Sequence, residues 1–415
     1  MRSCLTWHIV IVMAVGMAGC DFIASRPFVP DAQWHRKALV DGHLVHWLAV
    51  APSENGFLHS NVTRTWQPRE QKSTNLVTQS RLIYGLLSGY ELTGDPRYLE
   101  AARGGVDFLL RHFRDPAFGG FFDAVGTDGH VVYDFKSTYG QAFAIFALAH
   151  AYRVIKDERY KDAALSAWGA VSFGLRDSSG GFRKEAPRDF GHSSELRTQN
   201  PVMHMFEAML ALHDATGDPE ALAGAQGIGK FVLHKLLQGR PDGTAFIAEW
   251  YSEKWEPLPR DKGGYIDLGH QFEWAFLLST AGARGLTGVY PEVAQRVLDY
   301  AIKVGYDEID GGVFNRVYPD GALVREKGSW QQSECLRTLM HYAALYGKPD
   351  MKRRYDQTLA LVQDEFIDAK NGGWFAMAKS ACAHQTCADE QFEPYHMTGM
   401  HREALDLAAR AKTER

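Results

Sequence analysis

Apolar and polar positions along the chain predict two alternating kinds of helix. In residues 98–113, apolar side chains recur at helical spacing on one face, while charged side chains occupy the opposite face. Other segments are apolar nearly all round, which is typical of helices that are buried on most sides. Six segments are of this second kind, at residues 75–92, 139–155, 200–215, 269–284, 330–346 and 395–411.

Short motifs that recur at a step of about sixty residues divide the chain into repeats. Thr-Gly-Asp-Pro occurs at 93–96 and 216–219, where it combines a helix-ending Gly with the capping Asp and first-turn Pro of a new helix. A Gly-Gly pair closely followed by an aromatic residue begins at positions 119, 180, 311 and 372. Two of these turns lead to Asp128-Gly129 and Asp320-Gly321 among alternating apolar residues, which predicts short β-hairpins.

Six buried helices, most of them paired with an outer amphipathic helix, predict an all-α (α/α)6 barrel with short β-hairpins in the loops at one end. An open α-solenoid is the alternative. Closure is favoured because no segment resembles a polar capping repeat, and because the step is longer than most solenoid units. The 415 residues would suggest two or three domains by length alone. The repeats instead predict one catalytic domain at 41–415, preceded by a linker at 20–40.

The N-terminus has the pattern of an export signal. Arg2 is followed by a short apolar run, which ends in Ala-Gly and then Cys20. A cysteine at this cleavage point predicts a lipoprotein whose residues 1–19 are removed and whose Cys20 carries the lipid; an ordinary signal peptide with an incidental cysteine is the alternative. We therefore expect an exported protein that a lipid anchor holds to a membrane on the periplasmic or cell-surface side.

The other cysteines and the net charge add little chemistry. Cys382 and Cys387 bracket a polar loop, which in an exported protein favours a local disulfide over a metal site that would use His384. Cys335 lies in an apolar helical pattern and is expected to be buried. The net charge of −5 gives no indication of a nucleic-acid partner.

Ionisable residues on the buried helices are the main functional signal, because a buried charge needs a partner or a role. Arg81, His204 and Glu334 each lie thirteen residues before a recurring glycine, so they occupy equivalent positions on three inner helices. In a closed barrel they would share one level near the starts of these helices.

Histidines bring further chemistry to the same end of the barrel. His204 and Glu207, and likewise His270 and Glu273, are three residues apart and so share a helical face. His396 begins the sixth inner segment. Three histidines with acidic residues could bind zinc or iron, but the His-x-x-His spacing of metal sites does not occur at these positions.

Five stretches of the chain resemble the N-acylglucosamine 2-epimerase family, which includes cellobiose and mannose 2-epimerases and aldose–ketose isomerases. The stretches are RLIY at 81–84, KSTYGQAF at 136–143, NPVMHMFEA at 200–208, GHQFEWAFLL at 269–278 and PYH at 394–396. The resemblance extends over essentially all of the chain after the export signal and implies an (α/α)6 barrel. It further implies that neither a metal nor an organic cofactor takes part in the chemistry.

The resemblance also implies roles for individual residues. His270 and His396 would be the acid/base pair, and Arg81 would bind the sugar oxygens at the reacting carbons. His204 would assist proton transfer or ring opening, and Glu273 would position His270. The candidate substrate-binding residues are Tyr84, Tyr139, Asn200, Glu207, Trp274, Trp330 and Glu334, with the two tryptophans expected to stack on the sugar.

The predicted function is a cofactor-independent sugar 2-epimerase or aldose–ketose isomerase. The substrate would be an unmodified or N-acylated hexose, or its disaccharide, and the enzyme a monomer or homodimer. A glycoside hydrolase or lyase on the same barrel is one alternative, and Glu207, Glu273 and Glu334 could supply its carboxylates. A noncatalytic sugar-binding lipoprotein is the other. The export signal and the loop between Cys382 and Cys387 depart from the family pattern and leave the substrate open.

Overall fold

A computed structural model describes residues 28–191, 196–382 and 389–413 of the protein. Six inner helices surround one axis, and each lies within one of the six apolar segments or extends it by no more than two residues. The inner helices are α3 (Leu76–Thr93), α5 (Thr138–Ile155), α7 (Gln199–Thr216), α9 (Leu268–Ala281), α11 (Ser329–Leu345) and α14 (Tyr395–Thr413). The outer helices are α4 (Pro96–Phe108), α6 (Glu158–Gly174), α8 (Pro219–Phe231), α10 (Tyr290–Gly305) and α12 (Pro349–Glu365).

The helix boundaries follow the capping residues that the repeat motifs supply. Asp95 and Asp218 accept hydrogen bonds from the first-turn N–H groups of α4 and α8, and each helix has Pro as its first residue. The preceding inner helices end at Gly94 (φ 72°) and Gly217 (φ 69°), which have the left-handed conformation that glycine adopts most easily. The local sequence therefore determines where each helix pair turns.

The ring of inner helices is closed, as the repeats predicted. Each inner helix packs against the next, and α14 packs against α3. The sixth outer position is filled by an N-terminal helix, α1 (Ala32–Leu39), which packs on α14 and continues through a π turn into α2 (Val45–Val50). This helix begins at Asp31, whose carboxylate caps it, and buries His35 and Leu39 completely. The barrel thus includes most of the segment at 20–40 that the sequence suggested to be a linker.

Short strands lie at the N-terminal ends of the inner helices. Both hairpins expected at the Asp-Gly turns are present, formed by β2 with β3 and by β11 with β12. The remaining strands form pairs or extend a hairpin to three strands. The strands are β1 (Ser73–Asn75), β2 (Ala124–Gly126), β3 (Val131–Tyr133), β4 (Lys136–Ser137), β5 (Glu185–Ala186), β6 (Arg197–Thr198), β7 (Leu237–Gly239), β8 (Ala245–Ile247), β9 (Trp250–Tyr251), β10 (Ile266–Asp267), β11 (Arg316–Val317) and β12 (Leu323–Val324). A short helix, α13 (Lys379–Cys382), precedes α14.

Four inner helices have a glutamine in the first turn whose side chain hydrogen-bonds to both backbone groups of a residue that precedes the helix. We call this pair of hydrogen bonds a glutamine clamp. Gln141 accepts from the backbone N–H of Phe121 at 2.9 Å and donates to its C=O at 2.8 Å. Gln79, Gln271 and Gln332 clamp Leu58, Ile247 and Val313 in the same way. These clamps satisfy backbone groups that would otherwise be buried without partners, and they hold the helix starts in register.

Some predictions concern residues outside the described ranges. The export signal, Cys20 and Cys387 belong to this part of the chain, so the lipid anchor and the disulfide stay predictions. Cys335 is fully buried, as expected. Among the residues that the structure describes, we find no helix with the length and apolar character needed to span a membrane.

Candidate active site

A cavity of about 710 Å3 opens at the N-terminal ends of the inner helices. We call it the front cavity. Every inner helix contributes at least one of the residues predicted from the sequence to its wall, namely Arg81, Tyr139, Asn200, His204, His270, Trp330 and His396. Arg81 and His204, two of the three positions that the repeats placed at one level, therefore meet at one space, whereas Glu334 does not line it.

His270 is buried beside two carboxyl groups. Its Nδ1 lies 2.8 Å from Oε2 of Glu249 and 4.0 Å from Oδ1 of Asp267, which also caps α9. Burial acts to lower the pKa of His270, but Glu249 and Asp267 outweigh it and raise the pKa to about 10. His270 is therefore protonated at neutral pH and can act as an acid.

His396 has the opposite protonation state. Its Nδ1 lies 2.8 Å from Oε1 of Glu334. Burial, together with the positive charge of Arg81, lowers the pKa of His396 well below its ordinary value. An imidazole that stays neutral in this way can accept a proton, so the cavity contains one group of each kind.

Trp330 lies between the two histidines. The centre of its ring system is 4.8 Å from the His270 ring and 5.2 Å from the His396 ring. Because this indole lines the cavity, it can stack on the apolar face of a sugar ring, as the sequence predicted.

Arg81 lies in the wall of the same cavity. Its guanidinium forms an ion pair with Glu393, donates to the Tyr139 hydroxyl at 2.7 Å and faces the Phe143 ring at 4.4 Å. Burial opposes its charge, but Tyr139 and Glu393 raise its pKa further above the ordinary value. A fixed positive charge of this kind can stabilise negative charge that develops on a bound substrate.

His204 connects the cavity to a layer of carboxyl groups beneath it. Its Nδ1 is 3.1 Å from Oε2 of Glu207, and the Tyr395 hydroxyl donates to the same oxygen. Oε1 of Glu273 lies 4.0 Å from Nδ1 of His204. Burial lowers the pKa of His204, so this imidazole is neutral at pH 7.

Glu273 and Glu334 form the centre of that layer and are completely buried. Burial raises the pKa of Glu334 to about 7, and burial together with Glu334 and Glu207 raises the pKa of Glu273 well above its ordinary value. Both Glu273 oxygens lack a hydrogen-bond partner within the described ranges, as expected for a carboxyl group that stays neutral.

This layer is the part of the site with the donor atoms for a metal ion. The ligand atoms of His204, Glu207 and Glu273, and those of Glu273, Glu334 and His396, lie within 4.8 Å of one another. However, the Arg337 guanidinium is 3.5 Å from Glu334, and burial keeps Glu273 neutral. The layer is therefore better suited to hold protons than a cation, and a reaction without metal stays the prediction.

Five of the predicted site residues do not line the front cavity. Tyr84 and Glu207 line a separate cavity of about 280 Å3, most of whose other lining residues lie in the middle or C-terminal parts of the inner helices. Glu334 and Glu273 lie in the carboxyl layer, and Trp274 is fully buried and donates to Gln199 at 2.6 Å. Their expected roles are thus corrected: Trp274 offers no stacking surface, and Tyr84, Glu207 and Glu334 do not touch a sugar in this cavity.

The group that positions His270 is Glu249, not Glu273 as the sequence suggested. Glu273 follows His270 by three residues on α9, but its carboxyl group lies near His204 on α7 instead. Glu249, in the segment between β8 and β9, is the residue that contacts His270. The sequence does contain one signal, because Glu249 is a lone acid in the apolar run at 245–251.

Comparison with known proteins agrees with this arrangement. Residues 56–399 match the family model described as N-acylglucosamine 2-epimerase. The chain is 24% identical to cellobiose 2-epimerase from Eubacterium cellulosolvens, an alignment that covers 89% of this chain and 96% of the relative. It is 26% identical to D-mannose isomerase from Marinomonas mediterranea over 74% of this chain and 79% of the relative.

A solved structure shows the same fold. The cellobiose 2-epimerase from Spirochaeta thermophila superimposes with a TM-score of 0.81 at 21% identity, covering 91% of this chain and 96% of that one. The matched family model spans both cavity histidines and the arginine beside them. On this evidence, the chain belongs to the N-acylglucosamine 2-epimerase family of sugar epimerases and isomerases.

Proposed function

We propose that this protein moves the C2 proton of an aldose through an enediolate, using His396 and His270 as the base and the acid. The observation that carries the proposal is that both histidines line one cavity, each with Nδ1 against a glutamate, in surroundings that raise the pKa of His270 and lower that of His396. A neutral imidazole accepts a proton, whereas an imidazolium donates one, and the reaction needs both groups.

The ring nitrogens that take part follow from the hydrogen bonds. Nδ1 of each histidine faces a glutamate, Glu249 for His270 and Glu334 for His396, so Nε2 is left for the sugar. In the open-chain aldose, Nε2 of His396 takes the proton from C2. The C–H electrons form the C1=C2 bond, and the aldehyde oxygen becomes negative beside the positive charges of His270 and Arg81.

The second proton transfer decides the product. Reprotonation of C2 from the opposite face gives the epimer, whereas protonation of C1 gives the ketose. In both cases a proton is removed and a proton is returned, so the reaction needs no redox partner. His204, between Tyr139 and Glu207, is placed to assist ring opening of the sugar.

The substrate class rests on the size of the cavity and on the relatives. A volume of about 710 Å3 lies within the range of about 300–1,000 Å3 that is usual for small-molecule sites. The relatives are named for cellobiose, mannose and N-acylglucosamine. We therefore propose an unmodified or N-acylated hexose, or its disaccharide.

The three acids that the sequence offered for a hydrolase do not support that alternative. A glycosidase needs two carboxyl groups on either side of the bond that breaks. Glu273 and Glu334 are fully buried, and Glu207 lines the other cavity. The three acids that the sequence offered for this role are therefore not placed to flank a sugar in the front cavity.

Proton NMR of a sugar panel in D2O tests the proposal. The panel comprises mannose, glucose, N-acetylglucosamine, cellobiose and mannobiose, each incubated with the mature protein in EDTA. We expect loss of the C2 proton signal in at least one sugar, together with a new epimer or ketose. Release of reducing ends from a polysaccharide, with C2 unexchanged in every sugar, would contradict it, and loss of activity in EDTA would contradict metal independence.

We also propose that Cys20 carries a lipid that holds the enzyme at a membrane on the exported side. The support is the basic start, apolar run and Ala-Gly-Cys sequence of the N-terminus. Incorporation of a labelled fatty acid, lost in the Cys20→Ser variant, is the expected result. Equal labelling of both proteins would contradict the anchor.

A further inference from the structure

A buried chain of hydrogen bonds leads from Trp274 to His270. Nε1 of Trp274 donates to Oε1 of Gln199 at 2.6 Å. Nε2 of Gln199 donates to Oε2 of Glu249 at 2.9 Å, and this oxygen is 2.8 Å from Nδ1 of His270. The same Gln199 nitrogen lies 2.9 Å from Nδ1, so the amide and the protonated imidazole share Oε2 of Glu249 as their acceptor. Gln199 and Trp274 have no exposed surface, so water does not compete for these groups.

The indole fixes the proton positions along this chain. An indole N–H can only donate, so the Gln199 oxygen must face Trp274 and the NH2 group must face Glu249. The Thr198 hydroxyl, 3.2 Å from Oε1 of Glu249, supplies a second donor. A carboxylate that accepts these bonds stays ionised, and it can bond to His270 only if Nδ1 carries a proton.

We propose that Trp274 and Gln199 are positioning residues, which orient Glu249 and thereby keep a proton on Nδ1 of His270. The consequence for turnover rests on the proposed function, whereas the proton on Nδ1 is a property of the protein without sugar. Without the indole N–H, the Gln199 amide can rotate by half a turn and place its oxygen against Glu249. Glu249 then loses a donor and faces a second acceptor, which weakens its bond to Nδ1.

The other groups around His270 do not replace this contact. Asp267 faces the imidazole from β10 at 4.0 Å, but its carboxylate is used to cap α9. Glu273 on the same helix and His204 on α7 form no hydrogen bond with His270 in the part of the chain that the structure describes, and burial favours the neutral form of both. From α11, Trp330 presents a ring without a titratable group. Burial alone would raise the pKa of Glu249. The interactions with His270, Gln199 and Thr198 outweigh burial, so this pKa lies below its ordinary value.

The test compares two tryptophan variants by histidine 15N NMR in the absence of sugar. Trp274→Phe removes the indole donor, and Trp168→Phe is the matched control, because Trp168 is a buried tryptophan on the outer helix α6. The signals of His270 are assigned by their loss in His270→Gln. We expect Trp274→Phe to lower the midpoint of the His270 titration by about one pH unit or more. Trp168→Phe should titrate like the wild type.

A second variant keeps the proposal testable if Trp274→Phe does not fold. Gln199→Met preserves side-chain length but removes the hydrogen bonds to Trp274 and Glu249, so the same shift is expected. An unchanged midpoint of the His270 titration in either folded variant would overturn the proposal. Because no sugar is present, this result does not depend on the proposed function, whose failure shows separately in the D2O assay. If the proposed function and this inference both hold, Trp274→Phe and Gln199→Met also lower the alkaline limit of the pH–rate profile.

Discussion

At the residue scale, the two cavity histidines differ because their surroundings differ. Two carboxyl groups lie beside Nδ1 of His270, and Glu249 among them is held ionised by Gln199 and Thr198. Only one glutamate, Glu334, hydrogen-bonds to His396 among the described residues, and burial raises the pKa of that glutamate. The positive charge of Arg81 helps to lower the pKa of His396. One residue type thus supplies both an acid and a base, and the neighbours decide which.

These shifts predict a bell-shaped dependence of the rate on pH. Glu334 accepts from Nδ1 of His396 only when it is ionised, so the rate should rise as the pH increases through about 7. It should fall as His270 loses its proton near pH 10. Glu249→Gln removes the charge that raises the pKa of His270, so burial then lowers this pKa and the alkaline limit moves to lower pH.

The pH–rate profile of C2 exchange measures this effect. Glu253→Gln, at an exposed position nearby, is the control and should keep both limits. An alkaline limit that stays in place in Glu249→Gln would show that Glu249 does not set the protonation state of His270.

The candidate site could be predicted in part from the sequence. Arg81, His204, His270 and His396 follow from the repeat and from the family motifs, because both are local patterns on the inner helices. Glu249 could not be predicted in this way, since it precedes His270 by 21 residues and lies in a loop outside the inner helices. The sequence also could not show which cavity Glu207 would line, because this depends on how the neighbouring helices pack and not on residue spacing within one helix.

At the element scale, the glutamine clamps hold the inner helices to the turns that carry the cavity wall. Gln141 is fully buried and binds both backbone groups of Phe121. Its spacing in α5 recurs at Gln79 in α3, Gln271 in α9 and Gln332 in α11, so the clamp is a property of the repeat. The helices themselves were predictable because the Gly, Asp and Pro signals are local.

Removing one clamp should destabilise the protein. Gln141→Ala leaves the buried N–H and C=O of Phe121 without partners, which should lower the free energy of unfolding by about 2 kcal/mol or more. Urea denaturation measures the change. Gln67→Ala, at an exposed position, should change it by less than about 0.5 kcal/mol. Equal stability of the two variants would contradict a stabilising role for the clamp.

At the scale of the whole molecule, contacts between the two ends of the chain close the barrel. His35 in α1 bonds through Nδ1 to His401 in α14 at 2.9 Å and through Nε2 to Tyr355 at 2.8 Å. We call this junction between the N-terminal and C-terminal parts of the barrel the seam. Arg64 and Asp368 form an ion pair across it at 3.2 Å. The sequence did not predict this sixth outer helix, because its partner lies more than 350 residues away along the chain.

Buried histidines should make this seam sensitive to acid. Burial lowers the pKa of His43 from 6.5 to about 3, so the unfolded chain takes up a proton between these values that the folded protein does not. The free energy of unfolding is therefore highest above pH 6.5 and decreases as the pH falls toward 3.

His43→Leu should reduce this loss. Both ring nitrogens of His43 are buried and lack partners among the described residues, so we expect the variant to be more stable by about 1 kcal/mol at neutral pH. It should also lose less stability in acid. Denaturation at pH 7.5 and pH 5 measures both effects, with His234→Leu at an exposed position as the control. If His43→Leu loses as much unfolding free energy between pH 7.5 and pH 5 as the wild type does, the interpretation is contradicted.

The central claim is that His270 and His396 together move the C2 proton of a sugar. The most direct measurement is the rate of deuterium exchange at C2 in D2O, followed by NMR on the sugar that the wild-type protein converts. We predict that His270→Gln and His396→Gln each lose at least about 100-fold in this rate, while His234→Gln keeps it. Full exchange in both cavity variants would contradict the account.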